Sequence, residues 1–423
     1  MRILFVNPFY LPDSIGGGQL HLYYLARALR RRGHEVALFR RDADPARADF
    51  DLRRDQHEGL EIAAVNYAFR DCDRFERIYS NPSIDAVFRA ELARWKPDVV
   101  HIHHLTCLST GILGECRRAG VPAVLSLHDF WMGCPRGQRI RDDLALCETI
   151  DRATCAACCA KLWPGFFPDA ERSRAELARY DAWLAQCFDQ ASLLVSPSPY
   201  HARAFAAHGV DPARIEVVEN GLPFELFQLA PKRRPRERGA PLRIGFLGSV
   251  IPSKGIHVLI DAVQRLPAEQ VELAIHGECF PWHLDTTYEQ RLRAQIRGTH
   301  RIELTGRYEH AAVPQLLAQL DALVIPGLWY EAFCLTIREG FLAQVPVIAS
   351  RLGAMAEAIE DGRTGLLFSP GDAADLARAL NRLLEDAALG ERLAAAPKAV
   401  VSVDAMADRF LRHYHLLARA ARR

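Results

Sequence analysis

The chain has 423 residues, enough for two or three domains that each bury a core of their own. Its 49% hydrophobic and 25% charged residues exclude a disordered or fibrous protein. With 53 Lys+Arg against 52 Asp+Glu the net charge is +1, so no global field draws nucleic acid, and no uncharged apolar run approaches the roughly 18 residues a membrane span needs.

The N-terminus, Met1-Arg2-Ile3-Leu4-Phe5-Val6-Asn7-Pro8, breaks after a short apolar run and lacks a cleavage site, so a cytoplasmic chain is expected. Strands are predicted at Ile3–Val6, Val36–Phe39, Ile62–Val65, Val99–Ile102, Ala123–Leu127, Leu193–Ser196 and Ile215–Val218. After a break they resume at Ile244–Leu247, Leu273–Ile275, Ile302–Leu304, Leu323–Ile325, Val347–Ala349 and Leu366–Phe368. Most are continuous apolar runs, as in parallel strands covered on both faces. Amphipathic stretches such as Leu20–Arg32 separate them, so the fold class is α/β with doubly wound sheets.

The break, Gln228–Pro241, reads QLAPKRRPRERGAP and predicts a solvated linker. It divides the chain into an N-terminal Rossmann-like domain (1–227, with a Cys-rich insertion at about 131–168), a C-terminal one (242–404) and a final helix (405–423). The expected architecture is two facing domains with a cleft toward which the carboxyl ends of the strands point. The final helix is a candidate to cross back to the first domain.

Glu331 and Glu339 stand out in the stretch from Trp329 to Glu339. A strand precedes them and a helix is predicted to begin near Leu335, which puts Glu331 in the loop and Glu339 on the first turns. A helix N-terminus offers N–H groups and a positive dipole end to a diphosphate, and a carboxylate one turn inside accepts hydrogen bonds from a ribose diol. The surround of Trp329, Tyr330 and Phe333 is that of a pocket wall. In the first half, Gly16-Gly17-Gly18 opens a helix after the first strand, and His128 lies just past a strand end. His101, His103 and His104 sit on and after another strand, where packing is the expected role.

These residues carry a resemblance. The chain resembles the family-4 retaining glycosyltransferases of the GT-B fold, whose signature is E-x7-E followed by a helix and a G-x-P-V-I-A strand. Here it is Glu331 and Glu339, then Gln344-Val345-Pro346-Val347-Ile348-Ala349, Gly353, Glu357, Asp361-Gly362, Thr364-Gly365 and Pro370-Gly371-Asp372. The resemblance implies a nucleoside diphosphate sugar donor held by the C-terminal half, with transfer of a hexose to an acceptor hydroxyl (glycan, lipid-linked or small-molecule). Glu339 would bind the ribose, Glu331 the donor sugar, and the N–H groups of Phe333, Cys334 and Leu335 the diphosphate. In the matching loop from Gly248 and Ser249 to Gly255, Lys254 would stabilise the leaving diphosphate, without a catalytic metal. Ser249 stands where the family favours Arg, and Cys334 and Gln344 where it favours Gly. Gly16 and Gly17 match the family's glycine loop and His128 its sugar-contacting histidine. Two other activities fit the architecture: an epimerase or disaccharide synthase, and a nucleotide-sugar binder without catalysis. A nicotinamide-dependent oxidoreductase would need G-x-G-x-x-G where Asn7-Pro8-Phe9-Tyr10 stands.

Cysteine is the remaining anomaly. Of 11 cysteines, five (Cys134, Cys147, Cys155, Cys158 and Cys159) fall within 26 residues, with 12, 7 and 2 residues between the first four. An odd number without an export signal argues against disulfides. The spacing of Cys134, Cys147, Cys155 and Cys158 suits a structural zinc stapling the insertion, the other reading being buried free thiols. A basic helix face, Arg27, Arg30, Arg31 and Arg32, reads either as a peripheral contact with an anionic inner membrane surface or as a solvated face.

Overall fold

A computed structural model describes residues 1–11, 16–237 and 239–423. Two compact units emerge, one built from Met1–Gln138, Thr149–Gly221 and Val403–Arg423, the other from Arg139–Glu148 and Leu222–Ser402.

The first unit holds an eight-stranded sheet in the order β3-β4-β2-β1-β5-β6-β7-β8. In chain order these are β1 (Arg2–Val6), β2 (Glu35–Asp42), β3 (Leu52–His57), β4 (Leu60–Asn66), β5 (Val99–Ile102), β6 (Ala123–Ser126), β7 (Leu193–Ser196) and β8 (Ile215–Val217). β5 and β6 are buried at every position, as their unbroken apolar sequences require. β3 is the one strand absent from the sequence reading. Its LRRDQH runs antiparallel to β4 along the sheet edge with four exposed residues, so it carries no apolar signal, and its charges blunt the edge.

The second unit holds a parallel six-stranded sheet in the order β11-β10-β9-β12-β13-β14. Its strands are β9 (Leu242–Leu247), β10 (Val271–His276), β11 (Arg301–Gly306), β12 (Ala322–Ile325), β13 (Val347–Ser350) and β14 (Leu366–Phe368). The chain winds outward from β9 to β11, then returns to the other side of β9 as β12. The carboxyl ends of β9 and β12 therefore flank a topological switch point, the usual place for a ligand in such a sheet.

Two expectations are corrected, and a third is made specific. The insertion is not wholly part of the first unit. Its Arg139–Glu148 stretch, closed by an antiparallel bridge between Ile140 and Leu146, puts Ile140 into the core of the second unit. The 228–241 segment is not a free solvated hinge either. Arg233 is pinned by ion pairs to Glu391 and Asp321, and Arg236 donates to the carbonyls of Leu383 and Leu384. The basic helix face, finally, is largely spent inside its own unit. Arg30 donates to the Glu58 carbonyl, and Arg31 and Arg32 pair with Asp404 and Asp408 of the final helix, Val403–Ala421. These pairs are solvent-exposed, as in the solvated-face reading of that helix. No helix among the described residues is long and apolar enough to cross a membrane.

The first unit also buries Glu115 between two arginines. Arg89 grips both carboxylate oxygens at 2.7 and 2.8 Å, and Arg118 adds a further ion pair. These guanidiniums, Arg89 first, hold the Glu115 carboxyl down at about 2. A depressed carboxylate contributes stability above its unfolded value near 4.5 and loses it as pH falls toward the folded value. Glu115→Gln is therefore expected to destabilise by up to about 2 kcal/mol at pH 7, a figure already discounted for the exposed arginines. The gap between wild-type and variant melting temperatures should narrow steadily as pH falls below about 4.5 toward 2; a gap independent of pH would sink this account.

Candidate active site

The site of the second unit grows from two loops at the switch point. β9 ends at Leu247, the N–H of the following Gly248 donates to the His276 carbonyl at 3.0 Å, and the chain passes Ser249 to a single 3-10 turn, Pro252–Lys254. Gly255 follows at φ +71° and starts the helix Ile256–Val263. From the other side, β12 runs into Pro326 and the loop that carries Trp329, Tyr330 and Glu331. The two loops are tied by the Leu328 N–H donating to the Ser253 carbonyl at 2.8 Å.

This tie brings together two residues 77 positions apart: Lys254 Nζ donates to Glu331 Oε1 at 2.5 Å. Trp329 Nε1 donates to the same oxygen at 2.9 Å, and its ring lies 5.1 Å from the Lys254 ammonium. Oε1 thus takes both donors. Burial disfavours the Lys254 charge, but the adjacent Glu331 outweighs it and leaves the ammonium held above its usual range. A fixed positive charge results, in a wall of low polarisability.

The next element is the helix Leu335–Leu342, with Cys334 as its N-cap. Cys334 adopts φ +63°, a left-handed conformation that explains why glycine is favoured there. Burial, aided by Glu331, pushes its thiol up to about 12, so it is a neutral packing group. The N-terminal N–H groups of the helix, those of Leu335 and its neighbours, mark its positive dipole end. The Phe333 carbonyl accepts from Arg338, whose guanidinium also stacks 3.9 Å over the Phe333 ring. Glu339 is 5% exposed, and its Oε1 lies 3.0 Å from His310 Nε2. The structure thus gathers Lys254, Glu331, Phe333, Cys334, Leu335 and Glu339 around the β9 and β12 exits.

Two participants were invisible in the sequence. His310 sits in a 3-10 turn after β11, and no local pattern links it to Glu339. Arg139, 4% exposed, donates to the Cys147 and Glu148 carbonyls and stacks 5.2 Å over the Tyr330 ring. It braces the Glu331 loop from a stretch nearly two hundred residues away in sequence.

In the first unit, Gly16 is the extended N-cap of the helix Gly17–Arg31, and a Cβ at Gly18 would stand 3.8 Å from the His128 ring. Of the histidines expected to pack, His101 does so, within hydrogen-bond distance of Tyr414 Oη at 2.5 Å and Ser126 Oγ at 2.8 Å. Asp129, next to His128, receives the Trp131 N–H and faces His104. Desolvation holds His128 down at about 3.

The four-cysteine zinc expectation is not supported. Cys147 belongs to the second unit with the Arg139–Glu148 stretch, whereas Cys134, Cys155 and Cys158 belong to the first. The thiols of Cys155 and Cys158 instead accept from Arg152 at 3.6 Å and Arg136 at 2.8 Å. Among the described residues, the group of three metal-type ligands that does converge is His21, His103 and His128.

Against this geometry the family matches are decisive. A model described as Glycosyltransferase Family 4 matches residues 15–226, just over half of the chain, and one described as Glycosyl transferases group 1 matches residues 241–386. The chain belongs to Glycosyltransferase Family 4. The glycosyltransferase is 28% identical over 423 residues to a glycogen synthase of Mycobacterium tuberculosis, spanning 96% of this chain and 91% of the relative. It is 25% identical over 404 residues to the MMP alpha-(1->4)-mannosyltransferase of Mycolicibacterium hassiacum, spanning 91% and 90%. Among solved structures, HepE of Anabaena in complex with UDP superposes with a TM-score of 0.69 at 20% identity, covering 98% of this chain and all of the other. Sucrose-phosphate synthase of Thermosynechococcus elongatus gives 0.72 at 20% identity over 99% of both chains. The glycosyltransferase has the GT-B fold, with its two parallel-sheet domains.

Proposed function

We propose that the glycosyltransferase moves a hexose from a nucleoside diphosphate hexose to an acceptor hydroxyl with retention at the anomeric carbon. The observation that carries this reading is the Lys254–Glu331 pair beside the N-terminus of the Leu335–Leu342 helix. The diphosphate meets the N–H groups of Phe333, Cys334 and Leu335, and a ribose hydroxyl donates to the Glu339 oxygen that does not face His310. Ser249 offers a neutral hydrogen bond in place of a guanidinium clamp. Glu331, with Oε1 committed to Lys254 and Trp329, has Oε2 for a hydroxyl of the transferred sugar. As the bond from the anomeric carbon to the diphosphate oxygen breaks, negative charge grows on that oxygen next to Lys254. The acceptor oxygen bonds to the same face, and its proton passes to the departing phosphate. His128 is the first unit's candidate for a sugar hydroxyl, through Nδ1, since Nε2 faces His103.

That HepE has been solved with UDP and glucose supports trying a UDP-hexose first. A thermal-shift panel of UDP-, GDP- and ADP-hexoses should show one that raises the melting temperature by mass action. Its transfer product should keep the donor's anomeric configuration by NMR; an inverted product would refute retention. Glu339→Ala is expected to weaken binding of the nucleoside diphosphate about 10- to 100-fold, the loss of a hydrogen bond to a charged group. Unchanged affinity by calorimetry would remove Glu339 from the ribose role.

A further inference from the structure

Beside its sheet, the first unit buries two histidines, His21 and His103, that the transfer chemistry does not account for, and sets a third, the half-buried His128, next to them. His21 comes from the helix Gly17–Arg31, His103 from the exit of β5 and His128 from the exit of β6. We propose that His21, His103 and His128 form a binding site for one divalent transition-metal ion of the zinc class.

The geometry is that of a ligand set. One ring nitrogen from each residue lies within 4.8 Å of the other two. Between His103 Nδ1 and His128 Nε2 the separation is 3.2 Å. Two imidazole nitrogens sharing a tetrahedral ion, each about 2.0–2.1 Å from it, stand about 3.3 Å apart. The rings are already braced: Phe5 meets the edge of His103 at 5.0 Å and Phe410 that of His21 at 5.9 Å.

The hydrogen-bond inventory points the same way. His21 is 3% exposed and His103 is 1% exposed. Among the described residues, neither ring nitrogen of His21, nor Nε2 of His103, has a hydrogen-bond partner within strict geometric limits. Asn220 is the one side chain placed to hydrogen-bond His21 among the described residues, just outside those limits, and it can serve only one of the two ring nitrogens. Buried polar nitrogens left unpaired are rare because each forfeits its hydration, and a metal ion recovers that loss for a nitrogen lone pair. Three imidazoles without a carboxylate suit zinc, cobalt, nickel or copper, and not magnesium or calcium. His128 is the least buried of the three, so a fourth coordination position would open on its side. Nε2 ligation would also fix the His128 tautomer with its proton on Nδ1.

The test uses the full chain, freed of metal by a chelator and titrated with Co2+. The expected result is one saturable equivalent with visible ligand-field bands, no thiolate-to-cobalt charge-transfer absorption, and displacement by Zn2+ with a rise in melting temperature. His103→Gln should weaken Co2+ binding at least about 100-fold, and Cys155→Ser should leave the bands unchanged. If His103→Gln does not fold, His21→Asn takes its place, and the wild-type spectrum is decisive without either. Strong thiolate bands would mean that the cysteines bind the ion and would overturn the proposal. So would a lack of uptake at about 100 µM Co2+, which leaves His103 and His128 as a hydrogen-bonded pair, or undiminished uptake by the folded histidine variants. These outcomes do not test Lys254, Glu331 or Glu339, which lie in the other unit, and ligation through Nε2 leaves the His128 Nδ1 proton for the sugar hydroxyl of the proposed function.

Discussion

Lys254→Ala is expected to lower kcat for donor-dependent transfer about 100- to 1000-fold, the range seen when one preorganised group facing a developing oxyanion is removed. The ammonium is held by Glu331 at 2.5 Å and faced by the Trp329 ring, so its position is set before the donor binds. A charge already in place incurs no reorganisation while the diphosphate leaves, which makes its effect larger in the transition state than in the bound donor. KM for the donor should therefore change less than kcat. Glu331→Gln isolates the partner: it keeps an acceptor for Trp329 and Lys254 but removes the negative charge, and transfer should fall while the fold persists. Near-wild-type kcat in both Lys254→Ala and Glu331→Ala, measured by nucleotide release with a matched acceptor, would remove the pair from the reaction.

The second large effect concerns the backbone that presents Lys254. Gly255→Ala is expected to destabilise the second unit by more than about 3 kcal/mol, combining a left-handed alanine with a hard steric clash. A Cβ at Gly255 would lie 1.9 Å from the Pro326 carbonyl oxygen and 2.9 Å from its carbon. Both are backbone atoms at the exit of β12, so neither can swing aside. Relief would separate the Lys254 turn from the Glu331 loop, and activity should fall with stability. Gly362→Ala is the control: its φ is +78°, but nothing lies within 4 Å of the added Cβ, so only the backbone strain of about 1 kcal/mol applies. Because a two-domain chain can unfold in steps, the readout is the calorimetric transition assigned to the second unit. Equal effects of the two substitutions would contradict the clash.

Local chemistry made much of this protein legible in one dimension. Buried parallel strands need unbroken apolar runs, and those runs located every strand except the polar edge strand Leu52–His57. Glu331 and Glu339 lie on one loop and the helix that follows it, so spacing alone put them together. The left-handed backbone at Cys334 was not read from the sequence, where the residue showed only as a departure from the family's glycine.

What only the tertiary structure decided is contact across distance in sequence. Lys254 meets Glu331 because β9 and β12 are neighbours at the switch point, an adjacency that strand order determines and residue spacing does not. Arg139 reaches Tyr330 because Ile140 finds its core in the second unit, to which Cys147 also belongs. The arginines of the first helix face acidic partners brought back by the last helix, so a basic stripe became a set of ion pairs. By itself the sequence determined two α/β halves and placed Glu331, Glu339 and Lys254 in or just after the loops at strand ends. It could not determine which of 11 cysteines and 16 histidines would converge, because side chains from separate strands and helices meet only when the chain closes around its core.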